Sequence, residues 1–516
     1  MVEEFRNQPY TDFSLPENRQ AQEEAIAAVE RMADQQYPLL IDGKEVSPGR
    51  VKPSFNPSDK DRQVGAFHQA GRKEVDLAME AALRAFESWR WVAPQERAIV
   101  LLKAAELMKR RRLLLNAWMI LEAGKNWAEA DADTAEAIDF LEFYAREMLR
   151  YGAPQPLTPV KGEFPQLLYI PLGVGVVIPP WNFPNAILTG MTAAAIVTGN
   201  TVLLKPASDT PGIAYQVVDI FRQAGLPPGV LNFIPGSGAE IGDYLVQHPK
   251  TRFISFTGSM EVGLRINQLA ATPSPGQIWI KRVVAEMGGK DTIIVDTDTD
   301  LEAAADAVTV SAFGYQGQKC SACSRCVVVG EVYEKFVDLL KQRAERLTIG
   351  PTKDPGNYLG PVINKASEEK ILEYIDVGKK EGKLVTGGEK APGNGYFIRP
   401  TIIKDIVPGA RLDQEEIFGP VLAVLKAKDF HHALTLANST IYGLTGAVWT
   451  RDRFKIGEAK RLFHVGNLYI NRKCTGALVG GHPFGGFNMS GTDSKAGGRD
   501  YLLLFLQAKS ISEKLG

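Results

Sequence analysis

Three cysteines at three-residue spacing, Cys320, Cys323 and Cys326, are the first residues of this chain whose types and spacing could carry chemistry. A C-x-x-C-x-x-C run can open an iron–sulfur site, but the fourth ligand of such a site comes from a nearby Cys-Pro pair. The sequence contains no Cys-Pro pair, and Cys474 is the only other cysteine. Structural zinc also needs a closed set of four ligands. We therefore predict no metal site and keep an iron–sulfur electron carrier as an alternative.

A single nucleophile is the better interpretation of this cluster. Cys320 follows a predicted helix and lies in the run Gly-Gln-Lys-Cys-Ser, residues 317–321, where its thiol could meet a substrate. Its thiolate could attack an aldehyde carbon, provided that a local positive potential lowers the pKa of the thiol. Cys323 and Cys326 are predicted to be buried as small hydrophobic side chains, because Cys326 begins an apolar strand.

Two glycine-containing turns follow consecutive predicted strands. Residues 236–242, Gly-Ser-Gly-Ala-Glu-Ile-Gly, open a helix, and Gly258 with Ser259 follows the next strand. The backbone N–H groups of such turns can approach a phosphate at the positive end of a helix. The spacing around Gly238 departs from G-x-G-x-x-G by one residue, so tight turns without a ligand are the alternative. Together the two turns favour a dinucleotide site.

The elements that must position these residues alternate regularly. Between residues 173 and 286, continuous apolar strands alternate with helices, which is typical of a parallel sheet covered on both faces. A second alternating run begins after residue 286 and predicts a second α/β domain. The fold class is therefore predicted to be α/β.

The two ends of the chain read differently from this alternation. Residues 74–91 and 95–117 carry apolar residues at three- and four-residue spacing, which predicts that both ranges are helical. The apolar tail from Tyr501 predicts a strand, and a lone edge strand should not expose so much apolar surface. We expect the tail to pair either with the segment near Tyr169 or with another subunit.

The composition excludes several classes of protein. Lys plus Arg number 59 against 60 for Asp plus Glu, so a net charge of −1 leaves no electrostatic footprint for nucleic acid or an anionic membrane. No apolar run reaches the length of a membrane span, and the acidic N-terminus has no apolar signal core. Four cysteines in 516 residues cannot form a secreted disulfide scaffold, so we expect a reducing cytoplasm.

Seven short motifs occur in the order of the aldehyde dehydrogenase superfamily, which the whole chain resembles. These motifs are PWNFP (180–184), KPAS (205–208), FTGS (256–259), EMGGK (286–290), GQKC (317–320), EEIFGP (415–420) and PFGGF (483–487), the last followed by Ser490-Gly491. The run after Cys320 and residues 475–480 are similar to the 1-pyrroline-5-carboxylate dehydrogenases. These enzymes oxidise L-glutamate γ-semialdehyde to L-glutamate in proline and arginine degradation. Since no proline dehydrogenase domain is fused to it, the chain looks closest to the single-function bacterial form.

The resemblance implies an aldehyde dehydrogenase fold with three parts. These are a Rossmann-like NAD-binding domain (1–152 and 173–286), a catalytic α/β domain (287–486) and a small β flap for oligomerisation (153–172 and 487–516). It also implies a homodimer or a higher homo-oligomer of dimers. The rival hypotheses are an aldehyde dehydrogenase for another small aldehyde, such as a different semialdehyde, and a scaffold without catalysis.

Three residues carry the chemistry that the resemblance implies. Cys320 resembles the nucleophile that forms a thiohemiacetal and then a thioester. The Asn182 side-chain amide and the Cys320 backbone N–H resemble the oxyanion hole, since a developing alkoxide needs preorganised donors. Glu286 resembles the general base that activates water, and a carboxylate at an apolar strand end could have its pKa raised toward neutrality.

The resemblance also implies NAD as the cofactor. Lys205 would bind the adenosine ribose, Gly258 and Ser259 the pyrophosphate, and Glu416 the nicotinamide ribose. The remaining cofactor-binding candidates are Pro180, Trp181, Ser208, Gly238, Gly288 and Phe418. Many NAD-preferring members carry Glu where this chain has Ser208, and Ser would not repel the 2′-phosphate of NADP, so NADP could be tolerated.

The substrate-binding residues follow from the same resemblance. The N–H groups of Gly476 and Ala477, with the Ser321 hydroxyl, would form a nest for the substrate α-carboxylate. Phe183 and Phe484 would flank its aliphatic middle. Glu136 would contribute to the polar end, with a solvated helix carboxylate as the equal alternative.

Overall fold

Short apolar runs form two seven-stranded sheets that hold most of the strands of this protein. The computed structural model describes residues 3–515. In the first sheet the strands lie in the order Arg282–Glu286, Phe253–Thr257, Val174–Ile178, Thr201–Leu204, Leu231–Phe233, Leu39–Ile41 and Lys44–Val46. In the second sheet the order is Lys383–Thr386, Thr401–Lys404, Val421–Ala427, Cys323–Val329, Asp291–Val295, Thr445–Trp449 and Asn467–Ile470. The central strands of both sheets pair in parallel, so the predicted α/β class is confirmed.

The bounds of the elements are as follows. The helices are α1 (Pro16–Glu30), α2 (Arg72–Trp89), α3 (Pro94–Arg110), α4 (Arg112–Ala123), α5 (Trp127–Gly152), α6 (Ala186–Val197), α7 (Pro211–Gln223), α8 (Asp243–Gln247), α9 (Met260–Ala271), α10 (Leu301–Phe313), α11 (Tyr333–Glu345), α12 (Lys365–Glu381), α13 (Arg411–Gln414), α14 (Phe430–Ala437) and α15 (Arg453–Leu462). The strands are β1 (Gln36–Tyr37), β2 (Leu39–Ile41), β3 (Lys44–Val46), β4 (Val51–Asn56), β5 (Asp59–His68), β6 (Glu163–Pro171), β7 (Val174–Ile178), β8 (Thr201–Leu204), β9 (Leu231–Phe233), β10 (Phe253–Thr257), β11 (Arg282–Glu286), β12 (Asp291–Val295), β13 (Cys323–Val329), β14 (Lys383–Thr386), β15 (Thr401–Lys404), β16 (Val421–Ala427), β17 (Tyr442–Gly443), β18 (Thr445–Trp449), β19 (Asn467–Ile470), β20 (Phe487–Asn488) and β21 (Leu506–Lys514).

The two sheets are covered by helices because their strands are apolar on both faces. All four residues of β8 and all five of β12 are buried, which leaves no polar face for solvent. One large core cluster lies between the first sheet and the helices α3 to α7. Two further clusters lie on the two sides of the second sheet. Each sheet therefore has its own core and holds its edge residues rigidly.

The helical prediction over residues 95–117 is confirmed, and two helices, α3 and α4, share this range. The backbone leaves helical geometry at Arg111, where φ is −100° and ψ is 10°, and two helices meet there. Both neighbouring arginines are occupied, since Arg111 forms an ion pair with Asp219 at 2.9 Å and Arg112 with Asp131 at 2.6 Å. These ion pairs with distant residues interrupt the helix at Arg111, although the helical spacing of apolar residues continues past this point.

The prediction for the tail is confirmed in part. β21 pairs antiparallel with β6, with Ala508 opposite Tyr169, so the tail meets the predicted segment within the same chain. The strand begins only at Leu506, because Tyr501–Phe505 forms a turn of 3₁₀ helix. Phe505 and Leu502 are buried against the first sheet's core, which anchors the start of the two-stranded ribbon.

Candidate active site

The predicted site residues meet where one edge of each large sheet faces the other. The first sheet reaches this place with the carboxyl ends of its strands, so Lys205 follows β8 and Glu286 ends β11. The second sheet reaches it with the amino ends of its strands, so Cys320 precedes β13 and Glu416 precedes β16. The four residues 287–290 join the end of β11 directly to the start of β12. This short link holds the two edges side by side.

A left-handed stretch of backbone presents Cys320. The angle φ is 49° at Tyr315, 55° at Gln316 and 67° at Gly317. Residues other than glycine adopt this region at a cost and keep it only where the surroundings hold them. Here the buried Tyr315 hydroxyl donates a 2.9 Å hydrogen bond to the carbonyl of Ala123. The cysteine loop is therefore positioned by a contact with the amino-terminal half of the chain.

The surroundings of the Cys320 thiol are acidic. Burial and then the carboxylates of Asp291, Glu416 and Glu286 raise the pKa of the Cys320 thiol above its ordinary value. The side chains of the protein alone do not supply the positive potential that was set as a condition for the nucleophile, because the neighbouring cation Lys319 is paired with Glu129. Forming the thiolate requires a group that removes the proton or a bound positive charge.

Asn182 lies next to the cysteine loop. Its side-chain Nδ2 donates a 3.0 Å hydrogen bond to the carbonyl of Gln318, two residues before Cys320. The side chain is buried, with 4% of its surface exposed. A side-chain amide carries two protons, so one remains for a further acceptor.

Glu286 is buried at the end of β11. Its carboxylate accepts hydrogen bonds from the Ser494 hydroxyl and, at 3.1 Å, from the Gly486 N–H. Burial raises the pKa of Glu286 to about 7, although these hydrogen bonds oppose the rise. A Cβ at Gly491 would lie 2.9 Å from the carboxylate oxygens, so glycine keeps this space open. The predicted rise of the Glu286 pKa toward neutrality agrees with this geometry.

One cavity of about 750 Å³ joins Cys320 and Glu286. It is also lined by every residue predicted to bind substrate. These residues are Glu136, Phe183, Ser321, Gly476, Ala477 and Phe484. Sequence motifs spread over several hundred residues thus converge on one space.

The cavity carries charges of both signs. Lys319 and Glu129 form a 2.7 Å ion pair on its wall, and Lys473 lies on the wall as well. Burial, followed by the nearby carboxylates of Asp133 and Asp139, raises the pKa of Glu136 to about 8. A ligand with both a positive and a negative end would match this lining.

A buried cation supports the aromatic wall of the cavity. The Lys125 ammonium lies 3.2 Å from the Asp133 carboxylate, and both side chains are fully buried. The same ammonium lies 4.1 Å from the ring centroid of Phe183 and 4.3 Å from that of Tyr315. Such contacts attract the rings, so Lys125 fixes the cavity wall and the cysteine loop together.

The residues predicted to hold the nicotinamide end lie together. Trp181 packs edge-on against Phe418 with ring centroids 5.4 Å apart. The Glu416 carboxylate accepts a 3.0 Å hydrogen bond from the Gly289 N–H. A Cβ at Gly288 would lie 2.1 Å from the other Glu416 oxygen, so only glycine lets this carboxylate approach. An apolar pair beside a fixed carboxylate fits an aromatic ring carrying a ribose.

The residues predicted to hold the adenosine end lie beyond β7 and β8. Pro180 is buried just after β7. The Lys205 side chain is also buried, and burial together with the Lys52 charge lowers the pKa of Lys205 to about 8. Ser208 is exposed, and its carbonyl accepts a 3.3 Å hydrogen bond from the Lys52 ammonium. The Lys52 cation therefore lies next to Ser208.

The two predicted phosphate turns differ in their free N–H groups. Gly238 opens a short helical turn, and a Cβ there would meet no atom within 4 Å. Ser259 caps α9, with its hydroxyl accepting from the Val262 N–H. The Gly258 N–H already donates to the carbonyl of Glu286 at 3.1 Å. This hydrogen bond joins the end of β10 to the end of β11, and cofactor binding by Gly258 and Ser259 stays a prediction.

The sequence pattern of the aldehyde dehydrogenase family matches residues 45–511. The chain belongs to the aldehyde dehydrogenase family. The superfamily and the fold predicted from the seven motifs are thereby confirmed.

Individual relatives of this aldehyde dehydrogenase match it over nearly its full length. It is 55% identical to a 1-pyrroline-5-carboxylate dehydrogenase of Anoxybacillus flavithermus, over 99% of this chain and 100% of that protein. It is 54% identical, with the same coverage, to a 1-pyrroline-5-carboxylate dehydrogenase of Bacillus subtilis. A crystal structure of 1-pyrroline-5-carboxylate dehydrogenase from Thermus with bound NAD is similar at a TM-score of 0.98. Its identity is 51%, covering 99% of each chain.

The cysteines other than Cys320 behave as predicted for packing residues. Cys323 is 1% exposed and Cys326 is fully buried, both in the core beside the second sheet. Within residues 3–515, no group of three or more His, Cys, Asp or Glu side chains is arranged to hold a metal ion. Across the same residues, no helix is both long and apolar enough to cross a membrane.

Sequence reasoning missed several polar residues at the site of this aldehyde dehydrogenase. Ser494 bonds the Glu286 carboxylate from 208 positions away, and Glu129 pairs with Lys319 from 190 positions away. One signal was available, because α5 carries five acidic residues between positions 129 and 139. Most residues of α5 are buried, so these five acidic side chains cannot all face solvent. Some of them must contact partner side chains or a cavity.

Proposed function

We propose that this aldehyde dehydrogenase oxidises L-glutamate γ-semialdehyde, the open form of 1-pyrroline-5-carboxylate, to L-glutamate with reduction of NAD. The observation that carries the proposal is the single cavity joining Cys320 and Glu286 to the loop of Gly476 and Ala477. Relatives at 54 to 55% identity with the same full length support the assignment. The reaction belongs to proline and arginine degradation.

The first step needs a thiolate and a stabilised oxyanion. The Cys320 sulfur attacks the aldehyde carbon, and its proton passes to a base, for which Glu286 with a pKa of about 7 is suited. The carbonyl oxygen becomes an alkoxide. The second amide proton of Asn182 and the Cys320 backbone N–H would donate to it.

The cofactor residues come from both facing edges. NAD would accept a hydride from the thiohemiacetal carbon, which leaves a thioester on Cys320. Lys205 and Ser259 would hold the adenosine ribose and the pyrophosphate, and Glu416 would accept from the nicotinamide ribose hydroxyls. The other contacts would come from Pro180, Trp181, Ser208, Gly238, Gly288 and Phe418. The exposed Ser208 with its flanking cation Lys52 supports some use of NADP.

Hydrolysis of the thioester needs a water-activating base in the same cavity. Glu286 would first release to solvent the proton that it took from Cys320. It would then take one proton from water while the water oxygen attacks the thioester carbon, and pass that proton to the departing sulfur. The carbon–sulfur bond then breaks, and L-glutamate leaves as the Cys320 thiol is restored. The Ser494 and Gly486 hydrogen bonds keep the carboxylate in place through this step.

The lining of the cavity suits an amino acid with an aldehyde end. The N–H groups of Gly476 and Ala477, with the Ser321 hydroxyl, would bind the α-carboxylate. Glu136 would face the α-ammonium group. Phe183 and Phe484 would pack on the methylene groups between the two ends. Walls that carry both Glu129 and Lys319 favour a zwitterion over a simple anion such as succinate semialdehyde.

The test compares two aldehydes that differ in the α-ammonium group. NADH formation is measured with pyrroline-5-carboxylate and with succinate semialdehyde over a range of concentrations. We expect kcat/KM to be at least about a hundredfold higher for the first, since unpaired buried polar groups penalise the second. Equal values would favour the alternative function, an aldehyde dehydrogenase for another small semialdehyde.

We also propose the assembly and the location of the protein. The division into an NAD-binding domain (1–152 and 173–286), a catalytic domain (287–486) and a flap (153–172 and 487–516) follows the two sheets and the ribbon of β6 and β21. That ribbon exposes Phe164 and Leu168, at 51% and 41%, which supports a homodimer or a higher homo-oligomer. Light scattering on the purified protein tests this. The four cysteines are unpaired, which suits a reducing cytoplasm.

A further inference from the structure

Residues 5–13 lie extended along helix α5 in the opposite direction. The contacts run in register from one end to the other: Phe5 with Phe143 and Phe13 with Trp127, each with ring centroids 5.2 Å apart, Asn7 and Gln8 with Asp139 at 2.8 Å, and Thr11 with Asp131 at 2.7 and 2.8 Å. An extended step of eight residues spans roughly 26 Å, and sixteen helical residues span roughly 24 Å. The two lengths match, so the segment stays straight against the helix.

Charged acceptors hold this segment against α5. Asp139 accepts from the Gln8 backbone N–H, and Asp131 accepts from both the N–H and the hydroxyl of Thr11. Hydrogen bonds to carboxylates are roughly twice as strong as those between neutral groups. Ordering a terminal segment has an entropic cost for every residue, and these bonds offset it.

The segment also reaches the loop proposed to bind the substrate carboxylate. The Asn7 side-chain amide donates to the carbonyl of Val479 at 3.0 Å. A Cβ at Gly480 would lie 3.2 Å from the Phe5 ring. The segment thus connects α5, which bears Glu136, with the loop that bears Gly476 and Ala477.

Four residues of the segment line the cavity: Gln8, Tyr10, Thr11 and Phe13. Tyr10 is 64% exposed, so its ring lies at the mouth. Glu136 and Asp139 line the same cavity as Tyr10, and burial followed by their charges raises the pKa of the Tyr10 hydroxyl. The family pattern begins only at residue 45, so this wall precedes the part of the chain that aldehyde dehydrogenases share as a family.

We propose that residues 5–13 form a specificity wall of the aldehyde cavity, with Tyr10 limiting the size of the aldehyde that can enter. The proposal rests on the proposed function for the identity of the preferred aldehyde. The size limit itself concerns any aldehyde that reaches Cys320. Removing the Tyr10 ring should widen the entrance to the cavity beside Glu136. Longer aldehydes should then enter, and the affinity for glutamate semialdehyde should fall.

The test measures kcat and KM of the full-length protein with Tyr10→Ala on glutamate semialdehyde and on straight-chain aldehydes from propanal to octanal. We expect the octanal-to-propanal ratio of kcat/KM to rise about five- to tenfold, and KM for glutamate semialdehyde to rise by a similar factor. The value of kcat for glutamate semialdehyde and the affinity for NAD, measured by fluorescence titration, should stay within about twofold of the wild type. Tyr10→Trp, which keeps a ring at the mouth, should restore the wild-type size preference.

Two further variants make the outcome decisive. Phe454→Ala removes another exposed ring, 91% exposed and outside the cavity lining, and should leave the size preference unchanged. Asn7→Ala removes the bonds to Asp139 and Val479 and should shift the preference in the same direction as Tyr10→Ala. If the octanal-to-propanal ratio of kcat/KM is unchanged in both Tyr10→Ala and Asn7→Ala, the proposal that residues 5–13 limit the size of the aldehyde is overturned. A wild-type protein that prefers another aldehyde to glutamate semialdehyde contradicts only the proposed function, because the size series still decides the wall.

Discussion

The two seven-stranded sheets supply their functional residues from opposite strand ends. In the first sheet Lys205 and Ser259 follow the carboxyl ends of β8 and β10, where parallel sheets usually bind ligands. In the second sheet Cys320 and Glu416 precede the amino ends of β13 and β16. Two sheets can share a site whenever the ends of their strands lie next to each other. Here the link of residues 287–290 brings the carboxyl ends of the strands of the first sheet next to the amino ends of the strands of the second.

The two edges also differ in exposure and charge. Ser208 and Ser259 on the first edge are exposed, and the Lys52 ammonium donates a hydrogen bond to the carbonyl of Ser208. Around Cys320 on the second edge the neighbouring groups are buried carboxylates, which raise the pKa of the thiol. The first edge is thus suited to an anionic, partly solvated ligand. The second edge is suited to chemistry in which a base must remove the proton of the Cys320 thiol.

The largest effect should come from the nucleophile on the second edge. Cys320→Ala should lower NADH formation by at least about a thousandfold, because no thiohemiacetal can form. Binding of NAD, followed by fluorescence titration, should remain close to that of the wild type, since most cofactor contacts come from the first edge. Substantial residual turnover would remove Cys320 from the mechanism, and a lost affinity for NAD would show that the two edges are not separable.

A smaller effect should come from Glu286, which lies where the edges join. Only the deprotonated carboxylate can accept a proton, and its pKa is about 7, so the wild-type rate should rise as the pH increases from 6 to 8. Glu286→Gln should lower kcat by roughly a hundred- to a thousandfold and abolish this rise. Ser494→Ala is the sharper control. The Ser494 hydrogen bond lowers the pKa of Glu286, so its loss should move the rise to higher pH; an unmoved profile would assign the rise to another group.

The loop of Gly476 and Ala477, which is proposed to bind the substrate α-carboxylate, allows a test of substrate selectivity. Ala477→Pro removes one backbone N–H from the proposed nest and should lower kcat/KM for glutamate semialdehyde by about ten- to a hundredfold. The loss for propanal, which has no carboxylate, should be within about threefold. Ala477→Ser keeps the N–H and should resemble the wild type. Equal losses on both aldehydes in the proline variant would mean that the nest lies elsewhere.

The smallest effect should appear on the solvated first edge. Ser208→Glu places a carboxylate where the 2′-phosphate of NADP would lie, but Ser208 is exposed and solvent screens the repulsion. We expect the affinity for NADP to fall by about fivefold, equivalent to roughly 1 kcal/mol, with the affinity for NAD unchanged or improved. Lys52→Ala should weaken NADP selectively too. Titrating both cofactors against both variants checks this, and an unchanged ratio would place Ser208 away from the ribose.

Much of the fold could be predicted because its signals are local. The strands β7, β8, β10, β12 and β13 are continuous apolar runs between helices, and each formed where its run lies. β4 and β5 were missed, because Pro53 and the charged run 59–62 interrupt the alternation expected of a strand. The break at Arg111 was missed because ion pairs with distant residues, not local sequence, end the helix there.

The sequence by itself determined the α/β class and the family, and it singled out the proposed nucleophile, base and amide, since each lies in a short contiguous motif. Only the tertiary structure decided which polar groups surround them. It brought Ser494 to Glu286, placed Tyr10 over the cavity, and raised rather than lowered the pKa of Cys320. The physical reason is that burial and electrostatic interaction depend on distance in space. The carboxylates acting on Cys320 come from two other stretches of the chain, residues 286–291 and residue 416, and the motif that contains Cys320 does not record their approach.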